Sequence, residues 1–498
     1  ATAVNMYNTG VGYGAGQSIT TGINNTIVGG LAGDALTTGN RNTVVGKGAL
    51  SADTLGARNV AIGTAALNTQ NFTTATDSYN VAVGYGAGIA ITTGVSNTLI
   101  GGLAGDVLTD ADQNVAMGYA ALSSDTLGSY STAIGYATLV NQNFTTATNT
   151  YNVAVGSNAG YAVTTGTLNT LIGGLAGDAI TTGGQNTAVG YQSLSAGVAS
   201  YYNTALGYQA LLTDTTGRES VAVGRNALRT QNDTTSSSMY NTAVGANAGY
   251  AVTTGTYNTL IGGLAADAMT IGRYNTAMGY AALTTDIDGD FSTALGYAAL
   301  ELQESDSANQ NVYNTAVGAS ALRNLTTGIR NTFVGGYAGG SATLTGDSNS
   351  GVGYGAGRAL TTGANNTFVG DAAGDATDDG AYNTAVGASA LSANCGDSNT
   401  AIGTSAAIVC TGADNTVVGG NAGYSLTSGS NNLFLGHDAG RTGSPGGAWT
   451  TQDNVMVLAD ENITNAYIQV DWTVSSDERD KTDFTALDLG LDFVKALA

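Results

Sequence analysis

The sequence predicts an all-β chain, a parallel β-roll or β-solenoid of about 25 coils with a mostly 17-residue period, and three observations carry that expectation. A pentapeptide that opens as Asn8-Thr9-Gly10-Val11-Gly12 returns 25 times, ends as Asn432-Leu433-Phe434-Leu435-Gly436, and most neighbouring copies start 17 residues apart. Its positions are constrained as a strand is: Asn first (Ser at 131, 220 and 292), Thr or Val second in nearly every copy, an aliphatic residue fourth, Gly fifth. The composition agrees, because 74 Gly, a single Pro and only 10% charged residues suit repetitive β structure better than helices or disorder.

The third pentapeptide residue faces away from the second and fourth, yet it too is uncharged: Ala mostly, with Leu99, Leu171, Leu260 and Phe368 among the larger choices. A strand apolar on both faces is usually covered on both. One face fills the coil; the other calls for a sister chain, so the expected assembly is an elongated homotrimeric rod of three rolls side by side. In a lone roll the column of alanines and leucines would face solvent. Three residues after the Gly comes an Ala (Ala15, Ala32, Ala49, Ala66, Ala87) in all but two coils, where Thr138 and Ser193 substitute, and it is read as the start of a second short strand. A further Gly three residues before the next Asn (Gly22, Gly39, Gly56, Gly94, Gly166) is read as a turn requiring positive φ. Seventeen residues close only a flattened roll, and 24 steps of ~4.8 Å give a rod of roughly 115 Å. The first-position column, Asn8, Asn25, Asn42, Asn59, Asn80, Asn97 and onward, is expected to form a side-chain ladder, each Asn bonding to its copies above and below, capping its own turn, or both.

A longer period overlies the coils, with equivalents at Asn8, Asn80 and Asn152. Each group ends in a coil enlarged by four or five residues, carrying Asn71-Phe72-Thr73, Asn143-Phe144-Thr145, Asn232-Asp233-Thr234 or Glu304-Ser305-Asp306. These are expected to protrude as polar bulges every ~19 to 24 Å, which makes Asn71, Phe72, Asn143, Phe144, Asn232 and Asp233 candidate receptor contacts. The shaft is assigned to residues 1–440. A glycine-rich break with the only Pro, Pro445, and two connector strands near 454–458 and 466–474, the second ending by Trp472, make up 441–474. Residues 475–498 end in a short helix marked by Leu487, Leu491 and Val494. The chain opens Ala1-Thr2-Ala3 without Met, so residues ahead of it are expected to have been removed or left out.

A net charge of -22, hence -66 for three copies, argues against nucleic acid or an anionic membrane as partner, and no apolar run is long enough to span a bilayer. Cys395 and Cys410 lie in adjacent coils, where a disulfide and a reduced pair are both sterically reasonable. His437 is the only histidine and reads as a turn residue, so no metal site or cofactor is expected. Asp34, Asp106, Asp178, Asp267 and Asp375 share one coil position too sparsely for a shared calcium ion and read as turn formers. The GYGAG and GGLAGD strings lack the ending of a phosphate loop. Tyr clusters after the strand Gly (Tyr85, Tyr119, Tyr136, Tyr208, Tyr280), where it covers strand edges or stacks on sugars. Ice binding is set aside because Thr alternates with Val in its column, which reads as burial.

The repeats, followed by Ser475-Ser476-Asp477-Glu478-Arg479-Asp480-Lys481-Thr482-Asp483-Phe484, resemble a bacteriophage tail fibre with β-roll repeats and the start of an endosialidase-type intramolecular chaperone. The repeats are also similar to the heads of trimeric autotransporter adhesins. The chaperone resemblance implies single-turnover self-cleavage, with Ser476 attacking the bond before it and Lys481 acting as base, beside Asp477 and Arg479; Asp480 stands where that family carries an apolar residue. The tail-fibre resemblance implies a non-enzymatic structural fibre of a virion, spacer and host-surface receptor-binding protein. Its expected partners are its own copies, phage tail or baseplate proteins and a host glycan or protein receptor. A bacterial surface adhesin or extracellular filament is the alternative. A glycan-cleaving tailspike is the reading from another class.

Overall fold

Every pentapeptide forms a three-residue strand, and each stacks on the next in the same register. Thr26–Val28 pairs in parallel with Thr43–Val45 as Thr26↔Thr43, Ile27↔Val44 and Val28↔Val45, and this residue-on-residue match recurs along the chain. The computed structural model describes residues 6–305, 307, 310–465 and 467; among them one parallel sheet of 26 strands runs the length of a solenoid, and there is no helix. At ~4.8 Å per rung the sheet is roughly 120 Å long. It continues past the expected boundary at Gly440, since Met456–Leu458 pairs with Leu433–Leu435 as a final rung whose Val455 stands where an Asn would be. Ser476, Lys481, the connector strand expected over 466–474 with Trp472, and the terminal helix lie outside the described residues.

The third column, not the second and fourth, fills the coil. Ala61, Leu99, Leu171, Phe333 and Phe434 are completely buried within a single chain, which corrects the expectation that these alanines and leucines would lie in solvent in a lone roll. Thr and the aliphatic fourth residue point outward and are half-buried or exposed, so the Thr–Val alternation does not mark an interior column. Size decides the choice: Gly351 has room only because it is Gly, a Cβ there standing 2.3 Å from the ring of Phe333 on the neighbouring rung. A closed interior demands such small-beside-large exchanges.

The same exchange governs the far side of the coil. Where Gly follows the Ala marker, a large aliphatic side chain three residues on reaches over it, as Leu36 does beyond Gly33, Leu108 beyond Gly105 and Ile180 beyond Gly177. Where Leu takes that place (Leu50, Leu122, Leu211, Leu283), the position three residues on becomes a buried Asp: Asp53, Asp125, Asp214, Asp286. In the next coil it becomes Gln70, Gln142, Gln231 or Gln303.

No second strand starts at the Ala. The segment instead alternates in the sign of φ, with Gly46, Gly48 and Leu50 at 136°, 63° and 49°. Its amides still bond to neighbouring coils, Gly48 N–H to Gly30 O at 3.0 Å and Leu50 N–H to Ala66 O at 2.9 Å. A left-handed Leu costs about 1–2 kcal/mol, which burial of its side chain, ~1.5–3 kcal/mol, offsets. The glycines three before each Asn are not at positive φ either. They are small because a Cβ on Gly22, Gly39 or Gly166 would sit 2.5, 2.3 or 2.2 Å from a carbonyl oxygen of the next coil. Positive φ falls two residues later, immediately before the Asn, on residues such as Tyr79, Ser96 and Gln113.

Candidate functional site

From Asn25 onward the first-position column is buried, and Asn8 at its open end is half-buried. Asn25 N–H donates to Asn8 Oδ1 at 2.8 Å, Asn42 N–H to Asn25 Oδ1 at 2.9 Å, and Asn97 N–H to Asn80 Oδ1 at 2.9 Å, while most of the Nδ2 groups reach a turn carbonyl about 14 residues on, as from Asn25 to Gly39 at 2.9 Å, and Asn383 Nδ2 has no partner. Asn59 continues it with an amide-to-amide bond, Nδ2 to Asn42 Oδ1 at 3.2 Å. These side chains therefore tie one rung to the next and to the following turn. Their role is internal, since no solvent reaches them beyond Asn8.

Where a coil is enlarged a glutamine joins the ladder, and in the three such coils that begin with Ser it replaces the missing step, whereas Asn80 N–H still reaches Asn59 Oδ1 at 3.1 Å. Gln142 Nε2 donates to Asp125 Oδ2 at 2.6 Å and to Ser131 Oγ at 2.8 Å, and its Oε1 accepts from Asn152 Nδ2 at 2.9 Å. Gln231 and Gln303 repeat this with Asp214 and Ser220, and with Asp286 and Ser292, so the serines that interrupt the Asn column all sit beneath an insertion. Burial pushes the carboxyls of Asp53 and Asp286 up and that of Asp214 to about 6, against the pull of their hydrogen bonds.

Three of the six expected contacts in these insertions are turned inward. Phe72, Phe144 and Asp233 are buried, because Asp53 and Asp125 accept the Phe72 and Phe144 amides, and Asp233 folds back onto Thr235 and Ser237. Burial alone would raise the Asp233 carboxyl, but those bonds outweigh it and hold it low. Asn71, Asn143 and Asn232 accept from Thr54, Thr126 and Thr215 of the preceding coil. Asn71 and Asn143 nevertheless remain exposed, as do the tips at 73–75, 145–147 and 234–237, while Asn232 is half-buried.

The exposed chemistry lies on the outward strand face. Side chains alternate, so with Asn, the third residue and Gly turned in, that face carries the residue before Asn, the Thr, the aliphatic fourth residue and the residue after Gly. One rung reads Tyr130, Thr132, Ile134, Tyr136 and another Tyr202, Thr204, Leu206, Tyr208. Its centre is half-exposed aliphatic surface, with Met117 at 40%, Leu206 at 45% and Ile402 at 40%. No Thr-column or fourth-column position is charged in any of the 25 repeats, although the chain carries -22 elsewhere.

Aromatic columns border this face. The column after Gly pairs Tyr119 with Tyr136, Tyr191 with Tyr208 and Tyr280 with Tyr297 at 5.8–5.9 Å. The column before Asn is tighter: Tyr240, Tyr257, Tyr274, Phe291 and Tyr313 form a continuous stack with centroids 5.2, 4.9, 4.9 and 5.1 Å apart. Sequence reading anchored on the strand Gly missed this second column. Its signal was an aromatic residue before the Asn or Ser in five successive coils.

No family model matches this chain, and no curated protein is significantly similar to it.

The remaining candidates are local. Cys395 and Cys410 are free buried thiols that fill the two coils shortened to 16 residues, and burial pushes Cys410 up to about 11. His437 is exposed with Nδ1 3.2 Å from Asp438 Oδ2, and Asp460 lies near, but Arg441 already engages Asp438 at 2.6 Å. In the sparse aspartate column, Asp178 accepts from Ser195 one coil on and Asp375 lies 3.6 Å from Arg358, so these two bridge coils, whereas Asp34, Asp106 and Asp267 each keep a buried Oδ1 without a hydrogen-bond partner.

Proposed function

We propose that the chain is the shaft of a homotrimeric fibre, three solenoids packed through the central Thr and aliphatic columns of their outward strand faces with the aromatic margins left open, which serves as a spacer and host-surface adhesion protein of a phage tail. One observation carries this reading: an uncharged, half-exposed aliphatic stripe runs along the strands of a rod whose remaining surface is acidic. Monomeric soluble proteins rarely leave so long a continuous apolar surface open, and a closed symmetric assembly covers it where an open one would keep growing. The parallel register supports it further, since identical rungs at equal heights let three copies meet like with like. Assignment to a virion rests on the resemblance of the repeats and of the segment around Ser476 and Lys481 to tail fibres, and self-cleavage there belongs to the same resemblance.

Immunogold labelling with an antibody against the full chain separates the two filament readings. The fibre reading expects label at the tips or sides of tails on purified particles. Label confined to bacterial envelopes would favour the surface adhesin.

A further inference from the structure

The ladder from Tyr240 to Tyr313 is not required by the fold. The same column holds Arg41, Gln113, Leu168, Gln185 and Asn365 in other coils, all at positive φ, so any residue that tolerates the conformation serves the backbone. In five consecutive coils it is nevertheless aromatic, in a left-handed conformation that bulky side chains disfavour. The rings are 37–49% exposed and lie within 6–23° of parallel, like overlapping tiles with part of each face and each outer edge open. Four of the five add a phenol hydroxyl. In the same column Glu219 precedes Tyr240 and Arg330 follows Tyr313, and one insertion tip, at 234–237, flanks the first rung. The track is thus bounded, roughly 20 Å long at one rung per ~4.8 Å.

We infer that this ladder is the binding track for a neutral, extended oligosaccharide lying parallel to the rod axis. A ligand with a regular repeat near 5 Å matches the rungs one for one, and sugar rings, apolar on their C–H faces and polar at their rims, suit exposed aromatic faces edged with hydroxyls. The charge weighs against the anionic members of that class: the ladder itself carries none, Glu219 accepts from Tyr240 at one end, Arg330 at the other end lies 3.8 Å from Asp347, and the chain as a whole is at -22. The assignment deepens the adhesion reading and moves its contact from the enlarged loops to the margin of the strand face. Three copies would supply three tracks, and avidity with them.

The test is isothermal titration of the full chain with maltohexaose, cellohexaose and mannohexaose, with a heparin hexasaccharide as the acidic probe. It compares wild type with Tyr257→Asn/Tyr274→Asn, because Asn24 and Asn365 show that Asn is accepted in this column. At least one neutral hexasaccharide should bind, heparin should not, and the double variant should weaken binding about tenfold or more with an unchanged melting temperature. Absence of binding to all three neutral probes, preference for heparin, or undiminished affinity in the variant would overturn the inference. Sedimentation of the same samples keeps the two proposals apart: a trimer that binds no sugar sinks only the track, and a sugar-binding monomer sinks only the trimeric fibre.

Discussion

At the scale of single residues, buried polar groups hold the coils in register. Asp214 is the clearest case, its carboxylate accepting from Gln231 Nε2 at 2.6 Å and from the Gly217 and Asp233 amides at 3.0 and 3.2 Å. Burial nevertheless raises its pKa from 3.8 to about 6. A carboxyl raised on folding contributes stability that is full below the unfolded value of 3.8 and is lost as pH rises through 6. Acidification from pH 7 to 4.5 should therefore stabilise the surrounding coils, by about 1–3 kcal/mol from this group, and Asp214→Asn should remove that part of the gain. The carboxyl carbon of Asp214, followed by NMR, should titrate near 6; a midpoint at or below 3.8 would show that the hydrogen bonds dominate.

At the scale of the coil, the strand was legible because its markers are strict: Gly always fifth, Asn or Ser always first. Which face turns inward was not legible from polarity, since Ala61 and Leu99 on one side and Ile62 and Ile100 on the other are all apolar. Only the exchange of volumes, Gly351 between Phe333 and Phe368, identifies the closed side. The run of positive φ through Leu50, Leu67 and Leu122 runs against ordinary propensity, which is why a second strand was the natural expectation there. The insertions misled for a related reason. Asn71-Phe72-Thr73 looks like a polar bulge, yet Phe72 is pinned to Asp53 from the coil beneath, and only the recurring Gln70, Gln142, Gln231 and Gln303 hint at an inner network. Gln142→Leu keeps the volume but strips partners from Asp125 and Asn152, at a cost of ~2–4 kcal/mol. Because solenoid coils open locally, hydrogen exchange should rise at amides near Ser131 and Asn152 and stay unchanged some coils away. Unaltered protection at the insertion would show that the network is dispensable.

At the scale of the whole molecule, assembly turns on a strand face too apolar to stay in water and on the way it is covered. The interior is complete within one chain, so the fold itself does not demand partners; the proposed trimer rests on the half-exposed outward columns alone. The aromatic margins lie beside those columns, so in the proposed fibre they would carry adhesion at the borders between copies. The most direct measurement is sedimentation equilibrium of the full chain, alone and as Leu206→Lys/Met278→Lys. The wild type should sediment at three times 49.4 kDa and the variant should dissociate with its strands intact by circular dichroism. A wild-type particle of 49.4 kDa, stable and soluble with those aliphatic side chains in water, would contradict the trimeric fibre at its centre.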